Sequence, residues 1–383
     1  MLLDVLAAVP LLIWLYLLLA RGSFWQVSRN LAPQTIPSTP DKRITVIIPA
    51  RNEAAGIAAA VSSLLNQDVP TPLDVIVVDD GSSDGTAAIA LAAAQQIGKA
   101  AQLTVIEGQP LLPGWTGKLW AVSQGIGRAL ALSPDYLLLT DADIQHGPRN
   151  VGDLLAVAEA GGYDLASFMV KLACVSRPEK ALIPAFVYFF LQLYPPAWIS
   201  SRAYRTAGAA GGCILIRTDA LQKIGGMIGI RNQVIDDCAL ARAVKRSGGS
   251  VWLRLTDSAE SIRSYGSFGE IGRMISRTAF NQLHHSALLL LGTVLGLLFT
   301  YLLPPLLLLS GHPLPILFGV SAWLLMSISY LPMVRFYGQS KVWSVCLPAI
   351  AAFYAGATIH SALCYWTGRG GQWKGRVQDV RAR

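Results

Sequence analysis

The chain has 383 residues and a formal net charge of +8; 53% of its residues are hydrophobic and only 14% are charged. Ordinary soluble domains carry about a quarter of charged residues, so this balance excludes a simple soluble globule and points to segments inside a bilayer. A basic excess in so apolar a chain suits anionic lipid headgroups rather than nucleic acid, and five cysteines without a C-x-x-C spacing give neither a zinc site nor a disulfide framework.

From Leu2 to Ala20 the chain is almost wholly apolar, with Arg21 and Arg29 following. About 20 such residues span a bilayer. A cleaved signal peptide would carry a positive charge ahead of the run, but only Asp4 stands there. The expectation is a retained anchor over 1–22, with the next domain cytoplasmic by the positive-inside rule. Residues 31–42, "LAPQTIPSTPDK", read as a proline-rich linker.

Residues 43–285 form the expected polar domain. "RITVIIPA", "LDVIVVDD", "LTVIEG" and "DYLLLTDAD" read as strands, separated by helices in "AAGIAAAVSSLLNQ", "TAAIALAAAQQIG" and "LWAVSQGIGRALAL". Strand–helix alternation with apolar strands predicts an α/β fold with a parallel sheet covered on both faces. Ligands of such sheets bind outside the carboxyl ends of the strands, where Asp79, Asp80, Asp141 and Asp143 all fall. Farther on, the aromatic stretch "ALIPAFVYFFLQLYPPAWIS" (181–200) contains three prolines. The expectation is a membrane-surface element guiding a lipid acceptor, with packed core as the alternative.

Three apolar runs, Ala287–Ser310, Leu314–Met333 and Val342–Trp366, make a membrane region over 286–367, and a basic tail fills 368–383. An anchor plus three spans would put Lys374, Arg376, Arg381 and Arg383 outside, against the positive-inside rule, while Arg335 and Lys341 would be inside. The expectation is the four-span count; the alternative is that one segment is re-entrant or interfacial and "GQWKGR" returns to the cytoplasm.

The acidic strand ends carry the chemistry. "VVDDGSSDGT" (77–86) has turn composition, but carboxylates at a strand end also accept hydrogen bonds from a base or ribose. In "TDADIQ", Asp141 and Asp143 flank one residue. Two anionic oxygen ligands suit Mg²⁺ or Mn²⁺, which takes one or two carboxylates plus substrate phosphates. "GWTGK" does not meet G-x-x-x-x-G-K-[ST], and no strand is followed by G-x-G-x-x-G.

"VIIPARNEA", "VVDDGSSDGT", "GKLWAVSQG" and "LTDAD", in this order, resemble the inverting family-2 nucleotide-sugar glycosyltransferases over about residues 43–260. More narrowly, the anchor, "GWTGKLWAVSQG", the three C-terminal runs and "GQWKGR" resemble bacterial membrane glycosyltransferases associated with hopanoid (hopene) biosynthesis. The resemblance implies a glycosyltransferase-A (Rossmann-like) domain held between N- and C-terminal transmembrane helices. It also implies a nucleotide-sugar donor, a UDP-sugar, and a lipid acceptor. Pro49, Ala50, Arg51 and Glu53 match the loop lining the nucleotide, Asp79 and Asp80 the carboxylates on base and ribose, and Lys118 a lysine near the nucleotide. Asp141 and Asp143 match the metal-binding D-x-D, with Asp141 also on the donor side. "GAAGGCILIRTDALQKIGGM", with Gly212, matches the acceptor-side segment, where glycine permits close approach.

In "VIDDCALARAVKRSGG", Asp236 and Asp237 open a helix and suit its dipole. The family has Glu-Asp here, and Asp237 aligns with its catalytic base; Asp236 replaces the glutamate. The Gln-x-x-Arg-Trp pattern of processive members is broken in "GRMISRTAF", where Arg277 fits but Met274 and Thr278 replace glutamine and tryptophan. Arg273 and Arg277 share a helical face, open to diphosphate or to anionic lipid. The alternatives are a processive polysaccharide synthase, a nucleotidyltransferase of the same fold class, and a non-catalytic scaffold of a lipid-synthesis complex.

Overall fold

Valine-, isoleucine- and leucine-rich runs form the central sheet, because β-branched chains suit a pleated surface buried on both sides. The strands are β1 (Ile44–Ala50), β2 (Asp74–Asp79), β3 (Leu103–Glu107), β4 (Tyr136–Leu139), β5 (Ile144–His146), β6 (Leu165–Lys171), β7 (Ile214–Arg217) and β8 (Val251–Ser261). All seven residues of β1 and all four of β4 are buried. The computed structural model describes residues 2–32 and 41–369, and beyond them only the backbone of Gln372–Trp373 and Arg376–Val377. Most of the proline-rich linker and the side chains of the basic tail, "GQWKGR" included, lie outside the described residues.

The sheet order is β3-β2-β1-β4-β7-β6-β8-β5. The first four strands are parallel, as expected, but β7 runs antiparallel between β4 and β6, and β5 antiparallel to β8. The all-parallel expectation is therefore corrected to a mixed sheet. A parallel return needs a crossover of a dozen or more residues, and only 140–143 separate β4 from β5. The chain reaches β7 from the carboxyl edge of the parallel strands, so it must run back.

The helix Gly117–Leu130 lies directly under β1 and β2. A Cβ at Gly125 would come within 2.6 Å of Ile47 Cγ2 and 3.1 Å of Val78 Cγ2, so only glycine permits this approach. That packing aims the helix N-terminus, capped by the Thr116 side chain, at the strand ends.

The expectation of a membrane-surface element at 181–200 is corrected: most of the stretch is buried between the sheet domain and the apolar helices. Helix Arg177–Leu193 opens with a Ser176–Glu179 capping box, keeps Pro184 inside it, and is followed by the short helix Pro196–Ile199. Ile183, Ala185, Val187, Tyr188 and Leu191 are fully buried or nearly so. The Tyr188 hydroxyl shares a 2.6 Å hydrogen bond with Ser329 Oγ, and Tyr354 Oη donates to the Leu182 carbonyl at 2.9 Å. The helix is thus a platform between the sheet domain and the C-terminal apolar helices. Those helices cover Ala287–Leu309, Pro313–Phe336 and Leu347–Trp366, each long and apolar enough to cross a membrane; Arg177–Ile199 also qualifies by length and composition, and Leu3–Leu19 is slightly shorter.

Candidate active site

Register brings the acidic ends together. Ala50 pairs with Asp79, Ile47 with Leu139, and Leu139 with Ile214. The loops after β1, β2 and β4 therefore leave one edge, and Gly211–Gly212 enters at the same edge.

The loops after β1 and β2 are laced together. Asn52 N donates to Ser82 Oγ at 2.9 Å, Ser83 N to Asn52 Oδ1 at 2.8 Å, Glu53 N to Thr86 Oγ1 at 2.9 Å, and Ala54 N to Asp84 Oδ2 at 3.0 Å. Hydrogen bonds from the Thr86 side chain and the Ala54 N–H lower the Asp84 pKa. Asp79 stays partly exposed and accepts from Ser82 N at 2.9 Å. Asp80 is buried, with Arg51 3.6 Å from its carboxylate.

At the centre, Lys118 Nζ lies 2.9 Å from Asp141 Oδ1 and 3.3 Å from Asp236 Oδ2. Burial works against the ammonium, but Asp141 and Asp236 outweigh it and raise its pKa, so Lys118 is a fixed cation. Asp237 Oδ2 accepts from Gly211 N at 2.9 Å, and its Oδ1 accepts from Cys238 N at 2.6 Å. Burial first and the Asp236 charge second push the Asp237 pKa up to about 6, against the pull of Lys118 and these two N–H groups. Pro49, Leu139, Met227, Ile230 and Leu240 complete the cleft walls.

Asp143 faces another cation. Arg263 Nε donates to Asp143 Oδ2 at 2.6 Å, and its Nη2 reaches both Glu53 oxygens at 2.7 and 2.8 Å. Burial and then the Asp141 charge raise the Asp143 pKa, with Arg263 pulling it back. Behind the turn, Thr140 Oγ1 donates to the Gly212 carbonyl at 2.7 Å and meets His146 Nε2 at 3.0 Å; Asn150 Nδ2 meets His146 Nδ1 at 2.9 Å. The amide is a donor there, so Nδ1 accepts and Nε2 carries the proton. Burial lowers the His146 pKa to about 4, and the ring is neutral.

Most residues singled out from sequence meet in this cleft. Ala50 is fully buried and offers only backbone. Gly212 turns away from the cleft: a Cβ there would meet Val170 Cγ2 at 2.8 Å, whereas one on Gly211 would face Asp237 Oδ2, Lys118 Nζ and Asp141 Oδ2 at 3.5–3.8 Å. Arg277 is exposed, just past the helix Phe268–Ser276; its charge acts on Tyr265, but no described ion pair joins it to the cleft carboxylates. Sequence reasoning missed Arg263 and Gly211. Arg263 stands in no motif, and only the pairing of β5 with β8 brings it to Asp143.

The donor set fits a hard divalent cation. The cleft gathers the carboxylates of Glu53, Asp141, Asp143, Asp236 and Asp237, with Lys118 paired to Asp141 and Asp236 and Arg263 paired to Asp143 and Glu53. Among the described residues no three His, Cys, Asp or Glu side chains form a cage for an ion. Mg²⁺ and Mn²⁺ sites of this kind draw their remaining ligands from phosphates and water.

The fold is glycosyltransferase-A: a mixed α/β sheet with its acidic cleft at the strand ends. Residues 45–225 match the family model described as glycosyl transferase family 2. A mannosyltransferase from Pyrobaculum calidifontis, solved in complex with GDP-Man and Mn²⁺, superposes over 94% of this chain and 98% of its own with a TM-score of 0.57 at 19% identity, which is a likeness of fold. An undecaprenyl-phosphate 4-deoxy-4-formamido-L-arabinose transferase from Serratia proteamaculans is 31% identical over 128 residues, 33% of this chain and 36% of that protein. A 4,4'-diaponeurosporenoate glycosyltransferase from Staphylococcus aureus is 36% identical over 104 residues, 27% of this chain and 24% of that protein. The matched part thus spans between a quarter and just over a third of these relatives.

Proposed function

We propose that the protein is a membrane-bound inverting glycosyltransferase that moves a sugar from a nucleotide-sugar, a UDP-sugar, to a hydroxyl of a lipid acceptor, a hopanoid. One observation carries the reading: Asp237, with its pKa near 6, sits on the same cleft as Lys118, Asp141 and Asp236 at the strand ends of a glycosyltransferase-A sheet. The names of the relatives favour a lipid acceptor, and the apolar helices packed beneath the cleft platform suit one. The hopanoid itself rests on the resemblance of "GWTGKLWAVSQG" and "GQWKGR".

In this reading the laced loops and Asp79 take the base and ribose. Asp141 and Asp143 would hold Mg²⁺ or Mn²⁺, whose charge supports the leaving diphosphate. Lys118 adds fixed positive charge beside that diphosphate. Gly211 leaves room for the sugar. Asp237 accepts the acceptor's hydroxyl proton as its oxygen attacks the anomeric carbon from the face opposite the nucleotide; the C–O bond to the diphosphate breaks, and the configuration inverts. The domain lies on the cytoplasmic side, where sugar nucleotides are made.

The test is mass spectrometry of lipids from cells with and without the gene, paired with a panel of UDP- and GDP-sugars offered to the purified full chain. A glycolipid that disappears with the gene, and turnover of one donor, are expected. An unchanged lipid profile with no donor consumed refutes the reading.

A further inference from the structure

Arg263 belongs to none of the motifs, yet it makes the most complete ion-pair set in the cleft. It rides on the segment after β8, held at both ends. Ile262 N donates to the Asp143 carbonyl at 2.9 Å, and Ser176 Oγ donates to the Tyr265 carbonyl at 2.8 Å. The fully buried Glu179 also accepts from Tyr265 N. A guanidinium so placed is fastened by its backbone and reaches outward by its side chain. It covers one oxygen of Asp143 and both of Glu53, and 37% of it remains exposed. Part of the side chain therefore faces solvent while the backbone on either side is held.

The two carboxylates of the D-x-D are thus both occupied by cations from the protein itself. Lys118 covers Asp141 Oδ1, and Arg263 covers Asp143 Oδ2. An oxygen that accepts a short charge-assisted hydrogen bond is a poorer metal ligand, and a nearby unit positive charge repels an incoming divalent ion. Removing that charge would leave Asp143 beside the Asp141 carboxylate without the guanidinium, an arrangement that attracts cations strongly.

We propose that Arg263 is a resident counter-ion for Asp143, which a divalent cation must displace, so that the cleft holds the metal weakly until the donor's diphosphate brings the missing ligands. The proposal rests on the cation reading of Asp141 and Asp143. It makes Arg263 a positioning residue that couples metal uptake to donor arrival. Free Mg²⁺ or Mn²⁺ alone does not fill the site efficiently, because it competes with a tethered guanidinium at very high local concentration.

The experiment is a Mn²⁺ titration of the full chain in detergent, without nucleotide, read by the electron paramagnetic resonance signal of free Mn²⁺. Arg263→Gln keeps a planar polar end without charge and should bind Mn²⁺ at least about tenfold more tightly than wild type. Arg263→Lys keeps the charge and should stay within about threefold of wild type. A merely structural arginine predicts the opposite, since a loosened Asp143 would bind less well. Equal or weaker binding by Arg263→Gln overturns the proposal, and so does an Arg263→Lys protein as tight as Arg263→Gln. Should the glutamine variant not fold, Arg263→Met serves with the same expectation. Asp141→Asn and Asp143→Asn report on the underlying reading separately: saturable binding that both substitutions leave intact, or that no variant shows, removes the cation assignment itself.

Discussion

Asp237 illustrates how one carboxylate can be tuned by position. Its two oxygens are held by backbone N–H groups, so its orientation is fixed, while burial and Asp236 raise its pKa to about 6. A base must be ionised to accept a proton. The rate should therefore be level above pH 7 and fall about tenfold per unit as pH drops below 6, in a profile of kcat/KM against pH. Asp237→Asn should lower transfer by about 10²–10⁴-fold with UDP affinity retained. The raised pKa also has a stability consequence. A folded-state value above the ordinary 3.8 means that the fold disfavours the ionised form, and this penalty is present above pH 6 and vanishes as pH falls below 3.8. Asp237→Asn sheds that penalty but offers one acceptor oxygen where Asp237 uses two, so it should melt close to the wild-type temperature at pH 7.5. A lower melting temperature would mean that the charge is structural. Gly211 gives the complementary case. Its Cβ would rest at ordinary contact distance, 3.5–3.8 Å, from Asp237, Lys118 and Asp141. Gly211→Ala should fold with unchanged thermal stability yet raise the donor KM several-fold by filling the sugar's space; an unaltered KM would place the sugar elsewhere.

At the level of elements, the cleft depends on the lacing between the loops after β1 and β2. Thr86 is fully buried, accepts from Glu53 N, and donates to Asp84. Thr86→Val keeps the shape and strands the Glu53 N–H. The expected loss is about 1–3 kcal/mol in thermal unfolding, with weaker UDP binding because the Glu53 loop loosens; full stability would show that water replaces the hydroxyl. These loops were legible in the sequence, since β-branched runs ending in Asp and Gly declare both the strand and its edge. The direction of β5 and β7 was not, because strand polarity is decided by where the chain re-enters the sheet. For the same reason the choice between Gly211 and Gly212 was invisible: it follows from the register of β7 on β4, which alternates faces residue by residue. The stretch 181–200 was misjudged because its aromatic composition suits a membrane surface as well as a core. Its burial depends on partners distant in sequence, Ser329 against Tyr188 and Tyr354 against the Leu182 carbonyl.

For the molecule as a whole, the contacts bear on how the apolar helices meet the membrane. The first helix, Leu2–Leu19, packs along Pro313–Phe336 and against Leu298–Leu306. Midway, Trp14 Nε1 donates to the Thr300 carbonyl at 2.8 Å. At one end, Arg21 donates to the Gln192 carbonyl at 3.0 Å, and Tyr337 Oη accepts from Leu172 N at 3.4 Å, both contacts with the sheet domain. Three helices therefore run side by side between the sheet domain and a far turn. The last helix, Leu347–Trp366, touches Ala287–Leu302 of that set but has a further partner of its own. Phe353 packs on Phe268, Ser276 Oγ donates to the Ala357 carbonyl at 2.9 Å, Phe280 N to Ser361 Oγ at 3.0 Å, and the Phe280 and Trp366 rings stand 5.4 Å apart. It is laid along the amphipathic stretch 268–282, which leads out of the sheet domain. With three crossings and one interfacial helix, the C-terminus would return to the side of the sheet domain. Arg21, Arg335, Lys341 and the basic tail would then share that side, without the conflict with the positive-inside rule that four crossings create. A C-terminal fluorescent reporter should be bright in the cytoplasm and a C-terminal alkaline phosphatase inactive. Active phosphatase would establish a fourth crossing and carry the basic tail away from the cleft.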